Sequence, residues 1–167
     1  MVGHTNTLNK AMHEPIEQRP DILIEKLLHN PNPSVRLSCG IKLMKDLSAP
    51  VTLAYRCALE DASDKVVQLS CMELGWRGGV ENTEALLRVL NHKSWHVRLG
   101  ACKALITQGV TDHRITNTIE ALAQEPEAAI YDAECDDLDR MIEESGMKWP
   151  CEMWGKLNTI LSGPQAS

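Results

Sequence analysis

The chain has 167 residues, a formal net charge of −6 at neutral pH and 43% hydrophobic residues, but only 4% aromatic residues and no Phe. This length is enough for one domain with a hydrophobic core, and the acidic balance argues against nucleic-acid binding, which requires a basic surface. No apolar run approaches the roughly 18 residues that cross a membrane, and the polar segment from Met1 to Pro20 holds no signal-peptide core. We therefore expect a soluble, cytoplasmic protein whose core is made of aliphatic residues and Cys.

Residues 1–19 are predicted to form a polar N-terminal extension, and a repeating apolar pattern begins after them. The pattern has a 31-residue period without a gap, which is the signature of stacked structural units. The matched columns include Val35, Val66 and Val97, and also Leu43, Leu74 and Leu105. Three regular units follow from this period, at residues 20–50, 51–81 and 82–112.

Each unit is predicted to be a helical hairpin, because its apolar residues have helical spacing on both sides of a short polar break. The breaks lie at residues 29–33, 60–64 and 91–94 and are rich in Pro, Asn, Asp and Ser. Such residues end one helix and cap the next. The predicted N-caps of the second helices are Ser34, then Ser63 or Asp64, then Ser94.

The fourth unit, residues 113–146, keeps the pattern only in degenerate form and carries ten acidic residues against two Arg. Four of the acids share one stripe of a predicted helix, namely Asp132, Asp136, Asp139 and Glu143. Three interpretations of this acidic patch remain open: a contact for a basic partner, a weak divalent-ion site, or a solvated face. Residues 147–161 are predicted to form a capping helix that covers the open end of the core, and residues 162–167 a disordered tail.

The second helices share a pattern in which Val-Arg follows a polar turn and precedes a small residue and a Leu. Val35-Arg36 and Val97-Arg98 carry it, and Val66-Val67 carries it without the Arg. This pattern resembles the second helix of HEAT repeats, and the short period is similar to the HEAT-like repeats of phycobilin lyases and many bacterial proteins. The resemblance covers about residues 20–145. It implies an all-α, right-handed solenoid of about four helical hairpins.

In HEAT-like solenoids the second helices line the concave surface, and the resemblance implies the same here. The side of these helices that points away from their partner helices carries an apolar stripe with one Lys. This concave stripe consists of Leu37, Ile41, Met44, Met72, Leu99, Lys103 and Ile106. An uncovered apolar stripe would indicate a binding groove, whereas a stripe buried on three sides, or covered by the segment from Met1 to Pro20, would be core.

Catalytic patterns are absent from the sequence, which has no GxSxG, no HExxH and no glycine-rich phosphate loop. His92 and His96 straddle a turn and have no third ligand nearby, so no metal site is predicted. HEAT-like deoxyhypusine hydroxylase holds iron with several His-Glu pairs at repeating positions, but this chain has a single pair, His13-Glu14, outside the units. The six Cys form no CxxC pair and are predicted to be buried thiols.

The leading hypothesis is a non-catalytic protein-interaction module or adaptor without a cofactor. Its partner would be a protein that is basic or presents an amphipathic helix, and neither nucleic acid nor a membrane is expected. A homodimer through the terminal repeats, with Trp149 and Trp154 near the C-terminus, is a further option. The alternative is a chromophore-handling or lyase-like enzyme related to the HEAT-like bilin lyases.

Overall fold

The computed structural model describes residues 16–122 and 124, and this part of the protein is entirely helical. A short 3₁₀ helix, Ile16–Gln18, precedes seven α-helices. These are α1 (Pro20–His29), α2 (Pro33–Leu43), α3 (Ala49–Ala58), α4 (Asp64–Arg77), α5 (Val80–Val89), α6 (Trp95–Thr107) and α7 (His113–Leu122). The all-α prediction is confirmed for these residues, and α2, α4 and α6 begin one sequence period apart, at the predicted second-helix positions.

Contacts between helices follow the chain order. Helix α2 packs on α1, α4 on α3, and α6 on α5, as hairpin partners do. The second helices also pack on one another, α2 on α4 and α4 on α6, while α7 packs on α6. Helix α4 is therefore surrounded by neighbours, and an unbroken run of its residues from Leu69 to Gly75 is buried.

Two kinds of loop connect the helices. The turn loops join the two helices of one hairpin and span residues 30–32, 59–63 and 90–94. The junction loops join one hairpin to the next and span residues 44–48, 78–79 and 108–112.

The turn loops are held by the same hydrogen bond at three positions, each one sequence period after the last. Asn30, Asp61 and His92 each accept, through a side-chain atom, the backbone N–H of the residue two positions further on, over 2.9, 2.7 and 3.1 Å. An amide, a carboxylate and an imidazole nitrogen all serve here because only an acceptor is needed. The loops are thus equivalent in structure although their residue types differ.

The caps of the second helices correct one prediction. Ser63 and Ser94 are the N-caps of α4 and α6, as predicted, although neither side chain makes a capping hydrogen bond. The prediction of Ser34 was wrong, because Asn32 caps α2 and its side chain accepts the N–H of Ser34. Pro33 explains the shift, since proline is favoured in the first helical position directly after the cap.

A largely buried ion pair joins Arg36, near the start of α2, to Asp61 in the second turn loop. Arg36 and Asp61 are only 11% and 7% exposed, and two N–H groups of the guanidinium each donate to a carboxylate oxygen over 2.7 Å. Arg36 also donates to the carbonyl oxygen of Asn30, over 2.7 Å. One period later, fully buried Val67 stands at the Arg position and His92 at the Asp position, so both partners of the pair are replaced together.

Close approach between α4 and α6 depends on Gly75. A Cβ added there would lie 2.8 Å from the Cα of Ala104, a distance that real side chains do not tolerate. Gly40 likewise lies close to the side chain of Leu69, whereas a Cβ at Gly100 would make only ordinary contacts.

Three of the four cysteines in the described residues behave as predicted, while Cys135 and Cys151 lie outside those residues. Cys39, Cys71 and Cys102 are buried thiols, and burial raises the pKa of each, to about 12 for Cys102. They therefore stay protonated and pack as small apolar groups. Cys57 is exposed on α3, so the prediction was wrong at this position. None of the described helices combines the length and the apolar character needed to cross a membrane.

Candidate interaction surface

The predicted concave stripe lies mostly inside the protein. Five of its seven side chains are buried, and the other two, Ile41 and Ile106, are half-buried. Leu37, Met44 and Met72 belong to the main core, and Leu99 packs in a smaller cluster with Trp95 and Leu122. Binding of a partner on this face stays a prediction, and the exposure pattern supplies no continuous apolar surface for it.

Other predicted features lie outside the described residues. They are the acidic patch of Asp132, Asp136, Asp139 and Glu143, the capping helix 147–161 with Trp149 and Trp154, the tail 162–167 and the pair His13-Glu14. Their predicted roles stay predictions. The imidazole pair, by contrast, is described: His92 accepts a turn-loop hydrogen bond, and the ring of His96 stacks on Trp95 with 3.7 Å between centroids.

Exposed large apolar side chains gather at the junction loops. Among the described residues four such side chains are exposed: Leu47 (76%), Val80 (75%), Leu53 (53%) and Trp76 (49%). Leu47 lies in the first junction loop, while Trp76 and Val80 flank the second. Leu53 lies apart from them on α3. Three of the four therefore belong to two consecutive junctions.

Two grooves adjoin these side chains. The first, of about 590 Å³, runs between the first and second junction loops and is lined by Leu47, Thr52, Arg77 and Asn82 among others. The second, of about 600 Å³, runs between the second and third junction loops and is lined by Thr83, Gln108 and Val110 among others. Both grooves share a wall, the junction ridge, which consists of Trp76, Gly78, Gly79 and Val80.

Backbone conformation at the junction ridge requires glycine. Gly78 has φ 62° and ψ −163°, and Gly79 has φ 93° and ψ 147°. Residues with a Cβ rarely tolerate these angles. A Cβ at either position would meet no atom within 4 Å, so the requirement comes from the backbone and not from lack of space. The two glycines allow α5 to begin directly after them, at Val80, although α4 ends only at Arg77.

A buried charged cluster supports the wall of the first groove. The side chain of Arg77 donates to Glu73 over 3.0 Å and to the Thr52 hydroxyl over 3.1 Å, and its guanidinium carbon lies 4.9 Å from the Tyr55 ring centre. Tyr55 in turn donates to the carbonyl oxygen of Gly40 over 2.7 Å. Burial raises the pKa of Glu73 and of Tyr55, and Arg77 opposes both shifts. Arg77 thus balances a buried carboxylate and adds little net charge to the groove.

Two polar atoms of the first groove lack a hydrogen-bond partner. They are Nε of Arg77 and Oδ1 of Asn82, and both are buried. The other end of the Asn82 amide is used, because Nδ2 donates to the carbonyl oxygen of Gly78. Natural proteins leave few buried polar groups unsatisfied, so each such group calls for an explanation.

The second groove repeats this arrangement with different residues. Thr83 and Gln108 lie one sequence period after Thr52 and Arg77 and again contact each other. Gln108 uses both ends of its amide: Oε1 accepts from the Thr83 hydroxyl, and Nε2 donates to the carbonyl oxygen of Leu74 over 2.9 Å. Among the residues that line the first groove, by contrast, two buried polar atoms have no hydrogen-bond partner.

Sequence reasoning missed Leu47, Val80 and Asn82. For Val80 the available signal was its position directly after the Gly78-Gly79 turn. The residues that the structure describes contain no cluster of three or more His, Cys, Asp or Glu side chains that could hold a metal ion. Comparison with protein-family models, with curated proteins and with solved structures finds no match to this protein.

Proposed function

We propose that this protein is a non-catalytic interaction module, a right-handed solenoid of HEAT-like hairpins that binds a partner protein at its junction loops. One observation supports this assignment above all. Leu47, Trp76 and Val80 are exposed together along the walls of the first groove. Large apolar side chains that are grouped at the surface mark interaction sites, whereas isolated ones do not.

The charges around the first groove favour a partner segment that is apolar and uncharged. Arg77 is paired with Glu73, and Arg56 is paired with Glu81. Positive groups that already have carboxylate partners give little attraction for phosphates, so the groove does not favour nucleic acid. An exposed Trp with an aliphatic neighbour is instead typical of the anchor points of protein interfaces.

Site-specific photo-crosslinking in the native host tests this proposal. A benzophenone amino acid is placed at Val80, and in a matched control at Leu53, which is exposed to a similar degree as Trp76 but lines neither groove. We expect a crosslinked partner protein from position 80 that is absent from position 53 and is lost when Trp76→Ser is added. Crosslinks of equal yield from both positions would show that the junction loops do not select a partner.

Two further expectations belong to this proposal. A cytoplasmic location stays a prediction, to be tested by fractionation of the host cell. The chromophore-handling alternative also stays a prediction, and the absorption spectrum of the protein purified from its host tests it. A bound bilin would contradict the interaction-module proposal and support the chromophore-handling alternative.

A further inference from the structure

The second groove differs from the first in its charges. Among the described residues that line it, Glu84 is the one charged side chain, and it is exposed on α5. No ion pair joins Glu84 to another described residue. The charged residues that line the first groove, Arg56, Arg77 and Glu81, each have a partner of opposite charge. The second groove therefore carries a negative charge that no neighbour neutralises, and the first does not.

The helix ends around the two grooves add to this difference. The second groove is bordered by the C-terminal ends of α4 and α6 and by the N-terminal end of α5. The first groove is bordered by the N-terminal ends of α3 and α5 and by the C-terminal end of α4. A helix C-terminus carries about half a negative charge and attracts cations, and a helix N-terminus has the opposite effect. The helix ends thus also make the second groove the more negative of the two.

An apolar and aromatic wall completes the second groove. Trp76 and Val80 are 49% and 75% exposed, and both line this groove together with Glu84. The face of an indole ring attracts cations, and Lys and Arg carry their charge on an aliphatic stem that packs on apolar surface. A groove that combines such a wall with a carboxylate fits a basic side chain. An acidic side chain would be repelled there, and a neutral one would leave the carboxylate without a partner.

A single segment of extended chain can reach both grooves. They lie one hairpin apart, on either side of the junction ridge. Packed helices lie about 8–10 Å apart, and an extended chain spans about 3.3 Å per residue, so about three residues lead from one groove to the other. A Cβ at Gly78 or Gly79 would meet no atom within 4 Å, so the middle of the ridge offers open space for this crossing.

We propose that the second groove binds a Lys or Arg side chain of the partner protein, about three positions from the apolar residue that the first groove holds. The charged end of this side chain lies near the carboxylate of Glu84, and its aliphatic stem packs on Trp76. This inference rests on the proposed function and adds the specificity of the site, since the partner segment must carry an apolar and a basic residue at a set spacing.

The test uses a phage-displayed library of random nine-residue peptides, panned against the full-length protein. We expect the selected peptides to be enriched in Lys or Arg about three positions from a large apolar residue. The best peptide is synthesised in two versions, one with its basic residue and one with Gln in that place. The Gln version should bind the wild-type protein about tenfold more weakly, because it loses both the ion pair and the contact of the cation with the indole ring.

A double-mutant cycle assigns the ion pair to Glu84. Glu84→Gln should weaken binding of the unmodified peptide about threefold, the size of an exposed ion pair, and should reduce the salt dependence of binding. Replacement of the basic residue by Gln in the peptide should then cost about threefold less in this variant than in the wild type. Glu60→Gln is the matched control, because it removes an exposed carboxylate from the second turn loop, and it should leave affinity unchanged.

Two results would overturn the inference. Either the selected peptides show no enrichment in Lys or Arg, or replacement of the basic residue costs as much affinity in Glu84→Gln as in the wild type. If Leu47→Ser with Val80→Ser abolishes binding in either case, the proposed function stands without the basic specificity. A library that yields no peptide whose binding depends on Leu47 or Val80 would refute the inference and the proposed function together.

Discussion

The turn loops and the junction loops recur with the same 31-residue period but differ in what their side chains do. In every turn loop a side-chain acceptor at an equivalent position satisfies a backbone N–H, and the first two loops are joined by the Arg36–Asp61 pair. The junction loops instead display Leu47, Trp76 and Val80 and leave two buried polar atoms unused. The turn loops therefore stabilise the fold. The junctions expose large apolar side chains, which stability alone does not require.

The largest expected effect comes from breaking the turn loops at Asp61. Asp61→Ala leaves the partly buried Arg36 without its carboxylate partner and removes the turn hydrogen bond. The loss of a charge-assisted hydrogen bond and of a neutral one should lower the free energy of unfolding by about 3 kcal/mol. Chemical denaturation measures this change. His92→Ala is the matched control, because it removes only the equivalent turn hydrogen bond and should lower stability by about 1 kcal/mol. Equal losses in the two variants would mean that the ion pair contributes nothing.

The next largest effects are expected from two glycine substitutions, which should change the free energy of unfolding in opposite directions. Gly78→Ala forces a side chain into a glycine-only conformation, and we expect it to destabilise by about 2 kcal/mol. Gly100→Ala lies inside α6, where a Cβ meets ordinary contacts, and should stabilise by about 0.5–1 kcal/mol. Thermal unfolding compares the two. A neutral Gly78→Ala would contradict the described geometry of the junction ridge.

A smaller effect should appear in the pH dependence of stability. Burial raises the pKa of Glu73, so the folded state binds a proton more tightly than the unfolded state does. The contribution of Glu73 to stability is then fully present below the unfolded pKa, about 4.5, and declines as pH rises through the folded pKa. Measured from pH 4 upwards, the wild type should lose stability relative to Glu73→Gln. A stability difference between the wild type and Glu73→Gln that is independent of pH would contradict a raised pKa of Glu73.

The smallest effect on stability should come from the exposed apolar residues. Leu47→Ser and Val80→Ser remove side chains that are about three-quarters exposed, so each should change the free energy of unfolding by less than about 0.5 kcal/mol. Both should nevertheless reduce the binding of a peptide that is selected by phage display against the full-length protein. Leu53→Ser should reduce neither stability nor binding. A loss of stability above about 1 kcal/mol would identify these residues as structural instead.

The positions of the helices were predictable, because Val35, Val66 and Val97 mark the starts of the second helices by their period alone. The burial of the concave stripe was not predictable, because helical spacing indicates which residues share a face but not how many neighbouring helices cover that face. Met72, on the central helix α4, is buried for this reason. Leu47 and Val80 were missed because they do not repeat: Gly78 and Ala49 stand at the equivalent positions one period away.

Backbone NMR of the labelled protein with a selected peptide tests the central claim most directly. We expect chemical-shift changes in residues 47, 49 and 76–82, which line the first groove. We expect no comparable changes at Ile41 and Ile106, the two half-buried members of the concave stripe. Changes confined to the second-helix positions of that stripe would contradict the assignment of the junction loops as the binding surface.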